Sequence, residues 1–300
     1  MKVSSNGIEI EIDDQGPRDG EPLLLIMGLG MQLTGWPDEF VDLLVARGFR
    51  VIRMDNRDIG LSQGFDPLGV PSVAWSGIRY LLRLPVTSPY SIADMAADAV
   101  GVLDALGIRR AHVCGASMGG MIAQHLAAKH PLRVSSLTLM MTTSGSRRLA
   151  QPGARVRRAL LARPASAEPQ AVAAHLEKLL QLIGSPGYRP DPARLRARLE
   201  ATARRAYRPR GTARQLLAVV ADGDRSALLG RIEAPTRVIH GADDPLVPVP
   251  AGHDLAARIP NAIADIVPGM GHDLPLQLLP RFADAIRENA NRAAPADPAA

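Results

Sequence analysis

The chain has 300 residues, 46% hydrophobic and 22% charged, which fits one large α/β domain with a small insertion and a substantial buried core. A single cysteine, Cys114, excludes an intramolecular disulfide. The net charge is +5, and the basic residues, nearly all arginine, crowd between Arg147 and Arg214 with no nucleic-acid motif and no interleaved aromatics, so solvated helix faces are expected rather than a nucleic-acid partner.

The opening MKVSSNGIEIEIDDQG turns acidic at once and lacks an apolar core, so the expectation is a cytoplasmic protein without a secretory signal. Within it, Ile8 to Ile12 alternates strictly and predicts a half-buried strand. Leu23 to Ile26 is a short continuous apolar run, as in a strand buried on both faces. Extended to Met31, it is still too short and glycine-broken to span a bilayer, and no membrane partner is expected. Glu39 to Ala46 has helical spacing closed by Gly48, and Arg50 to Met54 reads as a strand. The long connection Gln63 to Ser91 holds the mildly amphipathic GIRYLLRLPV, the kind of loop that forms a lid or site wall; a membrane-touching role is the sharper alternative, disfavoured because the stretch is short and interrupted by Pro85. A helix is predicted over Ile92 to Leu106, a strand over Ala111 to Cys114, a helix over Met118 to Ala128 and a strand over Val134 to Met141. This alternation implies a mostly parallel sheet with helices on both faces.

From about Ser144 to Leu229 strand signals stop. Helices are predicted over 155–161, 171–182, 192–206 and 212–221, giving a helical cap at 144–229 inserted into a core of 1–143 and 230–290. Strand signals return at Pro235 to Ile239 and Ala262 to Val267, and a last helix is predicted from Leu276 to Glu288. The tail 291–300 has little to bury and is expected to be disordered.

One motif carries chemistry. Gly115-Ala116-Ser117-Met118-Gly119 falls between a predicted strand and a predicted helix. A G-x-S-x-G at such a junction is a nucleophile elbow: the serine sits on a strained turn, and glycines two positions either side avoid clashes with strand and helix. The following helix aims its N-terminal N–H groups where negative charge develops. Gly60-Leu61-Ser62-Gln63-Gly64 matches the same pattern, but no strand leads directly into it and GFDPLGVP cannot open a helix, so Ser62 is a loop serine.

A serine nucleophile needs an imidazole base oriented by a carboxylate, in the chain order serine, acid, histidine. Of the seven histidines, His112, His125, His130 and His175 lie in or beside the wrong elements, His240 precedes the only suitable acid, and His253 starts a helix. His272 follows the last strand in Pro268-Gly269-Met270-Gly271-His272 and is the expected base. Gly241-Ala242-Asp243-Asp244-Pro245 supplies the acid after the preceding strand, with Asp244 preferred and Asp243 the alternative. The oxyanion hole is expected from the backbone N–H groups of Met118 and Leu29, the latter in Met27-Gly28-Leu29-Gly30. Met27, Gly28 and Met270 are expected at the substrate, methionine being an adaptable apolar wall.

Together these residues resemble the α/β-hydrolase superfamily. Met27-Gly28, Gly35-Trp36-Pro37-Asp38-Glu39-Phe40 and Arg53-Met54-Asp55-Asn56-Arg57-Asp58 with Gly60 and Ser62 look like the branch of aclacinomycin methylesterase and related bacterial esterases. The resemblance implies an α/β-hydrolase fold and hydrolysis of a small-molecule ester through Ser117, Asp244 and His272, with no metal and no cofactor. A lactonase, C–C bond hydrolase, acyltransferase or perhydrolase would use the same three residues, and a ligand receptor could keep them; oligomeric state is not legible.

Overall fold

The computed structural model describes residues 1–293, so the tail expected to be disordered falls from residue 294 onward outside the described residues. A hairpin opens the chain: β1 (Lys2–Ser5) pairs antiparallel with β2 (Ile8–Gln15), which contains the predicted alternating strand. β3 (Glu21–Ile26), α1 (Asp38–Val45) and β4 (Phe49–Met54) follow. The long connection is not structureless, for it holds α2 (Val73–Leu81). Then come α3 (Ile92–Ala105), β5 (Ala111–Ala116), α4 (Met118–Lys129) and β6 (Val134–Met140).

Between β6 and the next strand lie α5 (Ala154–Leu161), α6 (Pro169–Ile183), α7 (Pro192–Arg205), α8 (Pro209–Asp222) and the short α9 (Ser226–Leu229). α6, α7 and α8 each begin on a proline, whose fixed φ and missing N–H suit the first helical position. That is why α8 starts three residues before its apolar periodicity does. β7 (Thr236–Gly241), α10 (Pro250–Arg258) and β8 (Ile263–Val267) return to the sheet, and α11 (Leu279–Ala290) is the last element of the described residues, after a single 3-10 turn at Leu276–Leu278.

The sheet order is β1-β2-β4-β3-β5-β6-β7-β8, antiparallel at β1/β2 and β2/β4 and parallel elsewhere. Both faces are covered, so successive residues of a central strand are all buried but serve different layers. Leu24 and Ile26 join Ile92, Leu103, Ile122 and Leu255 on one face; Leu23 and Leu25 join Phe40, Leu44, Phe282 and Ile286 on the other. The parallel register brings the carboxyl ends of β3, β5, β6, β7 and β8 to one rim, with Ile26 opposite Gly115, Ala116 opposite Met140, and Gly241 opposite Val267. Loops leaving that rim converge, which is where ligands bind in open α/β sheets.

Candidate active site

Ser117 stands between the last residue of β5 and the first of α4, with φ 53° and ψ −118°. A positive φ is costly for a side chain with a β-carbon. Its neighbours hold it there. The Ser117 N–H donates to the Met140 carbonyl at 2.9 Å, and the Thr142 hydroxyl donates to the Ser117 carbonyl at 2.7 Å. The glycines are obligatory by contact: a β-carbon at Gly119 would lie 2.0 Å from the Ile26 carbonyl oxygen, and one at Gly115 2.3 Å from the Gly119 oxygen.

His272 Nε2 lies 3.0 Å from Ser117 Oγ, and its Nδ1 lies 2.7 Å from Asp244 Oδ2. The loop carrying His272 is anchored from outside the sheet, since the His272 N–H donates to the Ile183 carbonyl at the end of α6 at 2.7 Å. Asp244 keeps its other oxygen occupied: Oδ1 accepts the N–H groups of Leu246 and Val247, both at 2.8 Å. That pairing fixes the carboxylate plane, so Oδ2 faces the imidazole. With Nδ1–H directed to the carboxylate, Nε2 is the free base toward the hydroxyl. Asp243, the alternative acid, points elsewhere and accepts the Gly269 N–H at 2.8 Å.

Three other histidines are engaged elsewhere. His112 bonds Ser136 and Glu21, and His125 bonds Asp222. His240 lies beneath the acid loop and bonds the Val247 carbonyl at 2.8 Å; burial holds its pKa below the ordinary histidine value, outweighing that carbonyl. Ser62 is buried, donates to the Asp55 carbonyl and accepts the Glu11 N–H, binding its loop to β2. Burial alone pushes the Cys114 thiol far above its ordinary range, leaving it inert in β5.

The loop after β3 approaches the nucleophile closely. A β-carbon at Gly28 would lie 3.2 Å from Ser117 Cβ and 3.7 Å from Oγ. The Leu29 N–H that follows and the Met118 N–H at the start of α4 donate to no protein acceptor among the described residues. Of the three residues expected at the substrate, Gly28 is beside the serine. Met27 and Met270 pack into the core layer with Trp36 and Phe282, and Met270 is fully buried. Met27 prolongs β3 and takes the side of Leu23 and Leu25.

Several residues that hold this loop escaped the sequence reading. Gln215, buried in α8, accepts the Gly30 N–H with Oε1 and donates through Nε2 to the Arg57 carbonyl. Asn56 donates to the Met27 carbonyl, and Asp55 accepts the Leu33 N–H, the Leu61 N–H and Arg205 of α7. Asp55 and Asn56 were visible only as parts of a resembling stretch; a single glutamine on a polar helix gives no signal at all.

Beside the histidine loop, between α1 and the α6–α7 pair, lies a cavity of about 740 Å³ bordered by Gly184, Ser185, Tyr188, Arg198, Arg205 and Asp273. Burial raises the Asp273 pKa against hydrogen bonds from Ser185, and burial lowers that of Arg198 against the charges of Asp273 and Glu39. No cluster suited to a metal ion occurs among the described residues, and no helix among them is long and apolar enough to cross a membrane.

Residues 21–277 match the model of the α/β hydrolase fold family. The chain is 31% identical to a rhodomycin D methylesterase of Streptomyces peucetius, over 95% of both chains. It is also 31% identical to a 2-hydroxy-6-oxononadienedioate/2-hydroxy-6-oxononatrienedioate hydrolase of Cupriavidus pinatubonensis, over 91% of this chain and 87% of that protein. Among solved structures, an esterase from Rhodococcus sp. ECU1013 superposes with a TM-score of 0.76 at 23% identity, covering 98% of each chain. With the family model covering most of its length, the chain belongs to the α/β-hydrolase fold family.

Proposed function

We propose that the protein is a carboxylic ester hydrolase working through a covalent acyl-serine intermediate. The observation that carries this reading is the chain of hydrogen bonds Ser117–His272–Asp244, at 3.0 and 2.7 Å. It is the order of groups that ester attack by a hydroxyl demands: nucleophile, base, orienting anion. A similarity to a protein that carries the name methylesterase supports the ester as substrate.

In this reading His272 Nε2 removes the Ser117 proton as Oγ attacks the ester carbonyl carbon. The Leu29 and Met118 N–H groups receive the oxyanion of the tetrahedral intermediate. Collapse expels the alcohol, which takes the proton from His272. Water then attacks the acyl-serine with His272 again as base, releasing the acid and restoring the hydroxyl. Asp244 stabilises the imidazolium in both steps. The helices from 144 to 229 serve as the cap. No metal or cofactor takes part, and the substrate is a small molecule.

The test is turnover of a p-nitrophenyl ester together with labelling by a fluorophosphonate. The expected result is covalent label on Ser117, and a Ser117→Ala variant that folds normally yet loses at least about 10⁴-fold in kcat. Retained turnover in that variant would overturn the assignment.

A C–C bond hydrolase stands as the second reading, favoured by the similarity to the oxononadienedioate hydrolase. A panel pairing simple esters with vinylogous β-diketones separates the two, since the favoured reading requires the higher kcat/KM on esters.

A further inference from the structure

Helix α2 is built inside out. A surface helix normally turns its apolar stripe to the core. Here Ser76 is buried, while Trp75, Ile78, Leu81 and Leu82 are 56%, 46%, 79% and 64% exposed, and Leu84 just beyond is 46% exposed. Positions 75, 78 and 82 follow helical spacing, so this is one continuous apolar face and not scattered exposure. A patch of this kind on a soluble domain marks an interaction surface.

The segment carrying the face is anchored at both ends. The excursion carrying it begins and ends at one buried carboxylate: Asp58 accepts two hydrogen bonds from Arg214 at 2.7 Å and one from the Tyr90 hydroxyl at 2.8 Å. Arg214 also reaches Asp66 and the Gly69 carbonyl, closing the entry to α2.

Charge identifies what covers it. From Pro67 to Ala93 the chain has no aspartate or glutamate, but carries Arg79 and Arg83. From Gly145 to Ala167 it again has none, and Arg147, Arg148, Arg155, Arg157, Arg158 and Arg163 are there. The guanidinium of Arg147 lies 4.1 Å from the centre of the Tyr80 ring, joining the second segment to α2. Exposed tryptophan and leucine flanked by arginines, with acids excluded, suit an interface whose outer layer is anionic and whose interior is hydrocarbon.

We propose that α2 and the arginine-rich segment 147–163 dock this protein on an anionic lipid surface. The expectation against a membrane contact here rested on the stretch being short and interrupted by Pro85; the exposed face and the second arginine-rich segment beside it are what that expectation lacked. Trp75, Leu81 and Leu82 enter the headgroup boundary while the arginines meet lipid phosphates. This does not depend on which bond the enzyme cleaves.

The test uses the whole protein with vesicles of phosphatidylcholine alone or mixed with phosphatidylglycerol. Expected is flotation with the mixed vesicles at low ionic strength, lost in high salt. Tryptophan emission should shift to the blue, a change reported by Trp75 because Trp36 is already fully buried. A Leu81→Ser, Leu82→Ser variant should hydrolyse a water-soluble ester as the parent does, yet bind vesicles at least about tenfold more weakly. An Arg148→Gln, Arg155→Gln, Arg157→Gln variant should lose about a hundredfold on mixed vesicles. Flotation with neither vesicle, or equally with both, would overturn the proposal. So would self-association through this face, abolished by the leucine substitutions, in a parent that ignores vesicles.

Discussion

Two adjacent aspartates show how finely a site is specified at the scale of single residues. Asp244 is buried and binds His272 Nδ1, whereas Asp243 is exposed and holds the Gly269 N–H. Asp244→Asn keeps the shape but removes the charge that stabilises the imidazolium and fixes its tautomer, so kcat should fall by about 10⁴-fold. Asp243→Asn should leave kcat unchanged and lower stability by about 0.5–1 kcal/mol through the weakened loop bond. Steady-state kinetics and urea unfolding on the two variants measure both; a larger kinetic loss at 243 would exchange their roles. The sequence showed Ser117 and His272 because glycine spacing and loop position follow from backbone constraints that are local in the chain. It left the two aspartates open because the deciding feature is direction. Asp244 turns inward only because the N–H groups of Leu246 and Val247 take one oxygen, a turn that a D-D-P run does not dictate. Thr142 and Gln215 were not legible for another reason: each acts on a backbone atom far along the chain, and backbone atoms leave no letter in a sequence.

Among the elements, α8 illustrates coupling between the helical insertion and the sheet rim. Arg214, 1% exposed, meets Asp58 through two hydrogen bonds, while Gln215 next to it holds the Gly30 N–H. Burial raises the Asp58 pKa, but the bonds from Arg214, the Phe65 N–H and Tyr90 together outweigh it and leave the carboxyl below its ordinary range. Arg214→Met strips a buried carboxylate of its cation and should cost about 3–5 kcal/mol, with Asp58→Leu added in the same chain restoring part of it. The sign for pH follows from the lowered pKa. Stabilisation by Asp58 is complete above the ordinary carboxylate value of 3.8 and is lost as pH falls through the folded value. Urea midpoints across the acid range should therefore decline less steeply in Asp58→Asn than in the parent; an identical slope would mean that the ion pair contributes nothing differential. Helix periodicity announced α8 but not this role, since arginine and glutamine on a helix read as solvent-facing. For α2 the periodicity was present and only faintly read, because its apolar stripe faces outward and nothing in a stripe tells which way it faces.

At the scale of the whole molecule the fold was legible because both faces of the sheet are covered. Continuous apolar strands alternating with amphipathic helices permit little else than a parallel sheet between helical layers. The cost of that architecture is that polar groups on the central strands are buried as well. His112 on β5 and His240 on β7 are both held below the ordinary histidine value of 6.5, in each case because burial outweighs the partner, Glu21 for one and the Val247 carbonyl for the other. Both are therefore neutral in the folded protein at a pH where the unfolded chain already binds protons. A depressed folded pKa places the full stabilisation above 6.5, and it is lost as pH falls below that value toward the folded ones. Thermal midpoints should thus hold steady above neutrality and begin to fall just below pH 6.5, before the carboxylates titrate. A His112→Gln, His240→Gln variant, whose amides can still bond Glu21 and the Val247 carbonyl, should show a flatter profile over that interval. His112 lies away from the Ser117 hydroxyl, whereas His240 Nε2 is 3.9 Å from Asp244 Oδ2; a His112→Gln variant alone should therefore keep the shape of the parent's activity profile, which separates folding from catalysis in one pair of measurements. A double variant as pH-sensitive as the parent would place the protonation responsible on groups other than these two histidines.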